Sequence, residues 1–540
     1  MIERNPISKA IAIRDKSLAV IEPPLDLDRL PDPLPPNVTQ LPYDFLTDEE
    51  ITITSLDVDE LLARLRNKQL SCVQVTKAFL RRAALAQQLV NCVTELLPET
   101  ALERARYLDS LDQPIGPLHG LPISLKEHHG MRGRLTNCAL VACIDNQPPI
   151  KDEVSGVNDV LWEAGAVFHA RTTQPQSLMH LETSSNIYGV TLNPNNLKLS
   201  PGGSSGGESA LIRMRGSILG IGGDSGGSIR VPAANTGIYG FKPTSGRVTR
   251  RGTASGVPRS SSINGSHGPL STSRYGLELF MSTYLNSQPW YKDVTLVPLP
   301  WREITLQKHL KIAIMWSDGV VNPHPPVQRA LRQVATMLQK NKAQFTVVDW
   351  EPLEHDRGWE LTQSLYYGDG GAGLKKILAD GNEEALPLSK WMLESKNVRA
   401  RSREELNQLT AERDKYWHTY NDHWQATGEK DGHIVDAILC PAGPGAAPAH
   451  GHSKYWSYTS QWNLLDYPAA VFPVTVVDQA LDQPETDYQP MNSEDKRNHE
   501  LYDPGTYRDA PVGLQLVTRR YEDEKCLAIL AAIERVMGRK

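Results

Sequence analysis

The chain has 540 residues, of which 40% are hydrophobic and 22% are charged, and 57 Lys and Arg against 63 Asp and Glu give a formal net charge of −6. This length and composition are typical of a globular protein with an ample core, built as one large domain or as several. The acidic balance disfavours a nucleic-acid partner, because binding to phosphates requires a basic face.

The distribution of charges, apolar runs and cysteines along the chain indicates the cellular compartment. The first 25 residues carry charges too often to contain the apolar core of a signal peptide. No run of eighteen apolar residues could span a membrane. The six cysteines are mostly dispersed, which is typical of reduced, buried thiols. We therefore expect a cytoplasmic protein with no membrane partner.

The N-terminal part of the chain is rich in proline at residues 22–47, where proline blocks helices and favours extended backbone. We expect residues 1–50 to form an arm that lies on the body or on a second subunit of a homodimer, and residues 51–540 to form a single domain. Between residues 54 and 97, apolar residues recur every three or four positions, which predicts amphipathic helices.

Helix and strand patterns alternate over the rest of the chain. The apolar run ISLKE at 123–127 predicts a buried strand, and helix–strand pairs follow at 157–172, 207–223, 231–243 and 309–350. More strands are predicted at 435–443, 467–476 and 512–520, before a closing helix at 522–537. This alternation indicates an α/β fold with a mixed sheet covered by helices on both faces. A charged segment near 354–432 predicts a helical cap or insertion.

Two clusters of glycine and serine, GGSSGG at 202–207 and GDSGGS at 223–228, stand out because glycine costs conformational entropy on folding. A phosphate-binding loop requires a lysine after the last glycine, whereas Glu208 follows Gly207. Both clusters match the GxSxG pattern of an α/β-hydrolase nucleophile elbow, but so short a pattern arises easily by chance.

A third explanation accounts for both clusters. GGSSGGE, the segment D-x-G-G-S-I-R-x-P-A that begins at Asp224, and Lys126 in GLPISLKE occur in the order of the amidase signature. The chain resembles this family over nearly its whole length, and the fungal acetamidase branch in particular. The resemblance implies the amidase-signature fold, with a large mixed sheet between helices, and hydrolysis of a small-molecule amide without a metal or an organic cofactor.

The resemblance also implies roles for residues of the three motifs. Ser228 would be the nucleophile that forms an acyl-enzyme, Ser204 would follow a cis peptide bond and relay protons, and Lys126 would be the base. Burial of Lys126 would have to lower its pKa for this role. The expected oxyanion hole consists of the backbone N–H groups of Ser225, Gly226, Gly227 and Ser228, and the residues expected to brace the loops are Ser205, Asp224 and Arg230.

Substrate contacts are expected from two further segments. The family's substrate-facing loop matches Leu178, Met179 and His180, although a buried core histidine is an alternative for His180. Tyr458 and Trp462 are candidates for the acyl pocket, and an aromatic core is their alternative.

Two departures from the family pattern leave the substrate open. Gly223 stands where the family usually has threonine, and Ser225 stands where it has a bulky residue. After the lysine, the run EHHG brings His128 and His129 close to the expected site.

Other functions remain as alternatives at this stage. His128, His129, His450 and His452 suggest a metal-dependent amidohydrolase, but no carboxylate pattern completes a ligand set. The same signature serves an amidotransferase subunit, acyl transfer to an amine would use the same residues, and a non-catalytic binding protein could retain the fold.

Overall fold

The computed structural model describes residues 5–145, 156–255 and 262–539. Its strands are β1 (Val93–Leu96), β2 (Pro122–Lys126), β3 (Val167–Thr172), β4 (Ser184–Ser185), β5 (Gly189–Val190), β6 (Leu219–Asp224), β7 (Tyr239–Lys242), β8 (Ser266–Ser271), β9 (Leu310–Ile314), β10 (Phe345–Asp349), β11 (Ala437–Pro441), β12 (Ala469–Val476) and β13 (Pro511–Val517).

The helices, in chain order, are α1 (Pro6–Ala19), α2 (Pro42–Phe45), α3 (Asp48–Ser55), α4 (Val58–Arg66), α5 (Cys72–Val90), α6 (Pro98–Asp109), α7 (Ala142–Asp145), α8 (Gly156–Glu163), α9 (Gly206–Arg213), α10 (Arg230–Thr236), α11 (Arg274–Asn286), α12 (Pro325–Lys340), α13 (His355–Tyr366), α14 (Ala372–Asp380), α15 (Pro387–Leu393), α16 (Arg403–Ala426), α17 (Ser457–Leu464), α18 (Ser493–Leu501) and α19 (Asp523–Val536).

The described residues build an 11-stranded sheet in the order β1-β3-β2-β6-β8-β7-β12-β13-β11-β9-β10, flanked by helices, while β4 and β5 pair separately. The sheet is mixed: β2 runs parallel to β3 and β6, whereas β8 runs antiparallel to β6 and β7. The predicted α/β fold class is therefore confirmed.

Local sequence signals explain most of these elements. Helix α5 begins with a capping box in which Ser71 and Gln74 satisfy each other's backbone N–H groups. Helix α12 starts with two prolines, which lack the N–H that a first turn leaves unpaired, and its apolar side chains face the core. Strands β2 and β11 are buried along their whole length, as expected for continuous apolar runs inside a covered sheet.

Register decides where the functional side chains meet. The parallel pairing of Leu125 with Ile221 brings the C-terminal ends of β2 and β6 to one edge of the sheet. The antiparallel pairing of Gly223 with His267 brings the N-terminal end of β8 to that same edge. Lys126, Asp224 and His267 therefore end up on one side of the molecule.

The predicted strands at 123–127, 218–223, 238–243 and the C-terminal runs are present, but β1 and β8 were missed. The β8 sequence SHGPLS contains glycine and proline, which are depleted in strands, and it lacks apolar alternation. It is held in the sheet by its two neighbours rather than by its own propensity.

The predicted division into an arm and one domain stays a prediction, and residues 1–4 of the arm lie outside the described residues. Helices α13 to α16 occupy the segment for which a helical cap was predicted. Among residues 5–145, 156–255 and 262–539, no helix is both long enough and apolar enough to cross a membrane. The homodimer also stays a prediction.

Candidate active site

A buried lysine and two serines form the centre of the candidate site. Lys126, the last residue of β2, donates from Nζ to Ser204 Oγ at 2.6 Å and to Ser205 Oγ at 3.2 Å. The lysine is 1% exposed and both serines are buried. The peptide bond between Gly203 and Ser204 is cis. Strand β2 and the first glycine–serine cluster thus meet at one point.

The second glycine–serine cluster is attached to the first through the backbone. The N–H of Ser205 donates to the carbonyl oxygen of Ser228 at 3.1 Å. Ser205 lies directly before α9, and Ser228 lies two residues before α10. One residue therefore contacts both Lys126 and the loop that carries Ser228.

Two glycines of these clusters are required by their surroundings. A Cβ at Gly203 would lie 2.3 Å from the carbonyl oxygen of Glu182, so any side chain there would collide with backbone. Gly227 has a φ of +129°, a conformation that L-residues with side chains rarely adopt, and a Cβ there would lie 2.3 Å from Thr459 Oγ1. Glycine is needed at these two positions because neighbouring segments lie too close to leave room for a side chain.

Asp224 holds the second cluster in shape. Its carboxylate accepts hydrogen bonds from the N–H of Gly227 at 2.8 Å and of Ile229 at 3.1 Å. It also forms an ion pair at 3.0 Å with Arg230, and both side chains are fully buried. Burial alone would raise the pKa of Asp224, but the charge and hydrogen bonds of Arg230 hold it well below its ordinary value. The pair is a structural clamp on the loop.

The hydrogen bond from Gly227 to Asp224 removes one N–H group from the expected oxyanion hole. Because the N–H of Gly227 donates to Asp224, it is occupied within the loop, which leaves the N–H groups of Ser225, Gly226 and Ser228 as candidates. Two aromatic residues contact this loop: the Tyr366 hydroxyl donates to the carbonyl oxygen of Ser225, and Trp456 lies close to Gly226.

Burial shifts the pKa values of two groups at this site. It lowers the pKa of Lys126 to about 7, against the opposing charges of Asp224 and Glu208. It raises the pKa of Glu208 to about 8, although hydrogen bonds from Ser124 and Thr172 and the charge of Lys126 act in the opposite direction. The lysine can therefore lose its proton near neutral pH.

A cavity opens beside the lysine. Its lining includes Lys126, His128, Leu178, Met179, Ser204, Gly223, Asp224, Ser225 and His267. Leu178 and Met179, for which substrate contacts were predicted, line this cavity, and their contact with a substrate stays a prediction. Ser228 is not among the described residues that line this cavity, and it is 6% exposed.

His180, Tyr458 and Trp462 are not among the described residues that line this cavity. His180 Nε2 donates to Ser389 Oγ at 2.7 Å, because that hydroxyl already donates to Gln176, and burial lowers the His180 pKa to about 3. Trp462 is fully buried in an aromatic cluster with Tyr420 and Tyr467. His180 and Trp462 are therefore both buried, and their predicted contact with the substrate stays a prediction.

Tyr458 is also buried, and its hydroxyl donates to the carbonyl oxygen of Val321. It lines a second cavity, together with His324, His452 and Thr459. Thr459 Oγ1 donates to the carbonyl oxygen of Gly226, which connects this region to the glycine loop.

Two of the four histidines that suggested a metal site, His128 and His129, lie together with His267. Among the described residues, the His, Cys, Asp and Glu side chains that come together as a ligand group are His128, His129 and His267. His450 and His452 do not belong to this group. His267 was missed because its strand was missed, and a histidine flanked by serine and glycine gave no signal of its own.

Comparison with known proteins shows which family the chain resembles over most of its length. The pattern of the protein family described as Amidase matches residues 74–527. A protein of Schizosaccharomyces pombe, provisionally named an amidase, is 45% identical over 537 residues, which cover 98% of each chain. The acetamidase of Aspergillus oryzae is 39% identical over 520 residues, which cover 94% of each chain. A solved fatty acid amide hydrolase structure has a TM-score of 0.91 at 35% identity and covers 99% of this chain and 95% of its own.

We expect Asp224→Asn to lower the apparent free energy of unfolding by about 3–5 kcal/mol, because it leaves the Arg230 charge buried without its partner. The matched control is Asp380→Asn, which removes an exposed partner of Lys376 and should change that free energy by less than about 1 kcal/mol. Denaturant titration of both variants measures the difference. Equal stability of the two variants would contradict the clamp.

Proposed function

Because the chain belongs to the amidase family and is an amide-hydrolysing enzyme, we propose that it is a serine amidohydrolase that works through an acyl-enzyme on Ser228. In this proposal Lys126 is the base and Ser204 relays protons between Lys126 and Ser228. The observation that carries it is the 2.6 Å contact from Lys126 Nζ to Ser204 Oγ, beside the hydrogen bond that ties Ser205 to Ser228.

Amides are poor electrophiles with poor leaving groups, so their hydrolysis requires a base and an anion cradle beside the nucleophile. A protonated lysine could not act as the base. The lowered pKa of Lys126, about 7, supports the role because a large fraction of the side chain is then neutral at the pH of most cells.

The proposed reaction has two halves. Ser228 Oγ bonds to the substrate carbonyl carbon while its proton passes to Ser204 and a proton of Ser204 passes to Lys126. The carbonyl oxygen becomes an anion, held by the N–H groups of Ser225, Gly226 and Ser228. The C–N bond then breaks, the nitrogen takes the proton back through Ser204, and ammonia or an amine leaves. Water attacks the resulting ester by the same relay, which releases a carboxylic acid and restores Ser228.

The proposed substrate class is a linear carboxylic amide. Leu178 and Met179 give the cavity an apolar side, while Lys126, Ser204 and Ser225 give it a polar one. Two relatives are named acetamidase and fatty acid amide hydrolase. The amides to assay should therefore range from a short acyl chain to a long one. A primary amine added to each assay distinguishes acyl transfer from hydrolysis.

Labelling of the folded protein with a fluorophosphonate, followed by peptide mapping, tests the nucleophile. We expect one adduct, on Ser228. Lys126→Ala should lower the labelling rate and kcat by about 10²–10⁴-fold, because the base that accepts the proton is gone.

The matched control is Ser225→Ala, which removes a hydroxyl from the same loop but retains the backbone N–H. This variant should still be labelled on Ser228. An adduct on Ser204 or Ser225 in the wild-type chain would refute the assignment of roles.

We also expect kcat/KM to rise with pH and to reach a plateau above about pH 7, because only the neutral form of Lys126 accepts a proton. Below that pH, kcat/KM should fall about tenfold per pH unit. Initial rates from pH 5 to 9 on one amide, in the presence of a chelator, measure this. Rates at pH 7.5 after exposure to each pH control for unfolding, and a pH-independent profile would exclude Lys126 as the base.

A further inference from the structure

Three buried histidines stand beside the lysine. The ring centroids of His128 and His129 are 4.6 Å apart, those of His129 and His267 are 4.7 Å apart, and those of His128 and His267 are 5.4 Å apart. One ring nitrogen from each histidine lies within 4.8 Å of the other two. The cluster combines the turn after β2 with the start of β8.

The fold builds this cluster from several directions. The N–H of His129 donates to the carbonyl oxygen of Lys126 at 2.9 Å, which closes the turn, and His129 forms an isolated bridge with Thr253. Gly223 pairs with His267 across the sheet. A Cβ at Gly223 would lie 3.1 Å from His128 Cε1 and 3.2 Å from His267 Cδ2, so the missing side chain makes room for both rings.

The orientation of His267 suits a metal ligand. Its Nδ1 lies 2.8 Å from the carbonyl oxygen of Thr249. A carbonyl oxygen only accepts hydrogen bonds, so Nδ1 carries the hydrogen and Nε2 carries the lone pair of the neutral ring. Metal-binding histidines usually have this arrangement. One ring nitrogen donates its N–H to a backbone carbonyl, and the other ring nitrogen binds the ion.

From this geometry we propose that His128, His129 and His267 bind one divalent ion of the Zn²⁺ type, and that the bound ion inhibits the enzyme. Imidazole suits Zn²⁺ and its first-row neighbours, and three protein ligands leave a fourth position open. Bonds of about 2.0–2.1 Å place tetrahedral ligand atoms about 3.3 Å apart. The rings therefore need to approach one another by about 1.5 Å at most.

Inhibition follows from the position of the cluster. His128 and His267 line the same cavity as Lys126 and Ser204, so an ion with an open coordination position would occupy space that the substrate carbonyl must enter. The inhibitory part of the proposal rests on the proposed function, whereas metal binding does not. The ion is an inhibitor here, not a participant in amide hydrolysis.

The test is a titration of the metal-free full-length chain with Zn²⁺ by calorimetry and with Co²⁺ by visible absorption. We expect one ion per chain and the absorption of tetrahedral Co²⁺. His267→Gln and His128→Ala should each weaken binding by about 100-fold or more, since even the loss of a residue that only supports a ligand costs about 10–100-fold. His450→Gln is the matched control, and it should bind as the wild-type chain does.

Circular dichroism and fluorophosphonate labelling without metal establish that each variant is folded. No binding of Zn²⁺ at micromolar concentration, or undiminished binding by both folded cluster variants, would overturn the site. Loss of binding in His450→Gln would assign the ion to a different pair of histidines and overturn it too.

Initial rates with and without Zn²⁺ test the second half of the proposal. Reversible inhibition of the wild-type chain, relieved by a chelator, supports it. Binding at the cluster without any effect on the rate would overturn the inhibitory role. Metal binding by a chain that hydrolyses no amide would support the site and refute the proposed function, so the two failures are distinguishable.

Discussion

The candidate site depends on a lysine buried with two serine hydroxyls as its hydrogen-bond partners. A charged ammonium in that position would be costly, because the desolvation of a charge is repaid only by an opposite charge or by strong hydrogen bonds. Lys126 occupies this buried position because it is the last residue of β2. Gly203, which has no side chain, lies close to the backbone of Glu182 and so brings Ser204 to the lysine. The lowered pKa of the lysine is a direct consequence of this burial.

A second buried charge organises the neighbouring loop in the opposite way. Asp224 stays ionised because Arg230 and several backbone N–H groups surround it. One carboxylate thereby fixes the course of the chain from β6 to α10, including Gly227 in a conformation that favours glycine. Hydrogen bonds from the N–H groups of Gly227 and Ile229 to Asp224 hold this loop. The two glycine-rich clusters therefore differ in purpose: the first admits a close backbone approach, and the second wraps a carboxylate.

The sequence predicted much of this arrangement for identifiable reasons. Apolar runs such as ISL before Lys126 gave the central strands, and three motifs in the right order gave the family. The burial of single side chains was harder to predict. His180 and Trp462 are buried, and a motif specifies which residue occurs but not which way its side chain faces. His267 was missed because SHGPLS has no strand propensity, and only pairing with β6 and β7 makes it a strand.

The amino-acid sequence by itself determined the alternation of helices and strands, the membership of the amidase family and the positions of Lys126 and the two glycine–serine clusters. These properties depend on residues that are close together in the chain or on motifs that have a characteristic order. The tertiary structure alone decided that Ser205 connects the two clusters, that Asp224 occupies the N–H of Gly227, and that His267 joins His128 and His129. These contacts join segments that are far apart in the chain, and strand register, which local sequence patterns do not encode, brings them together.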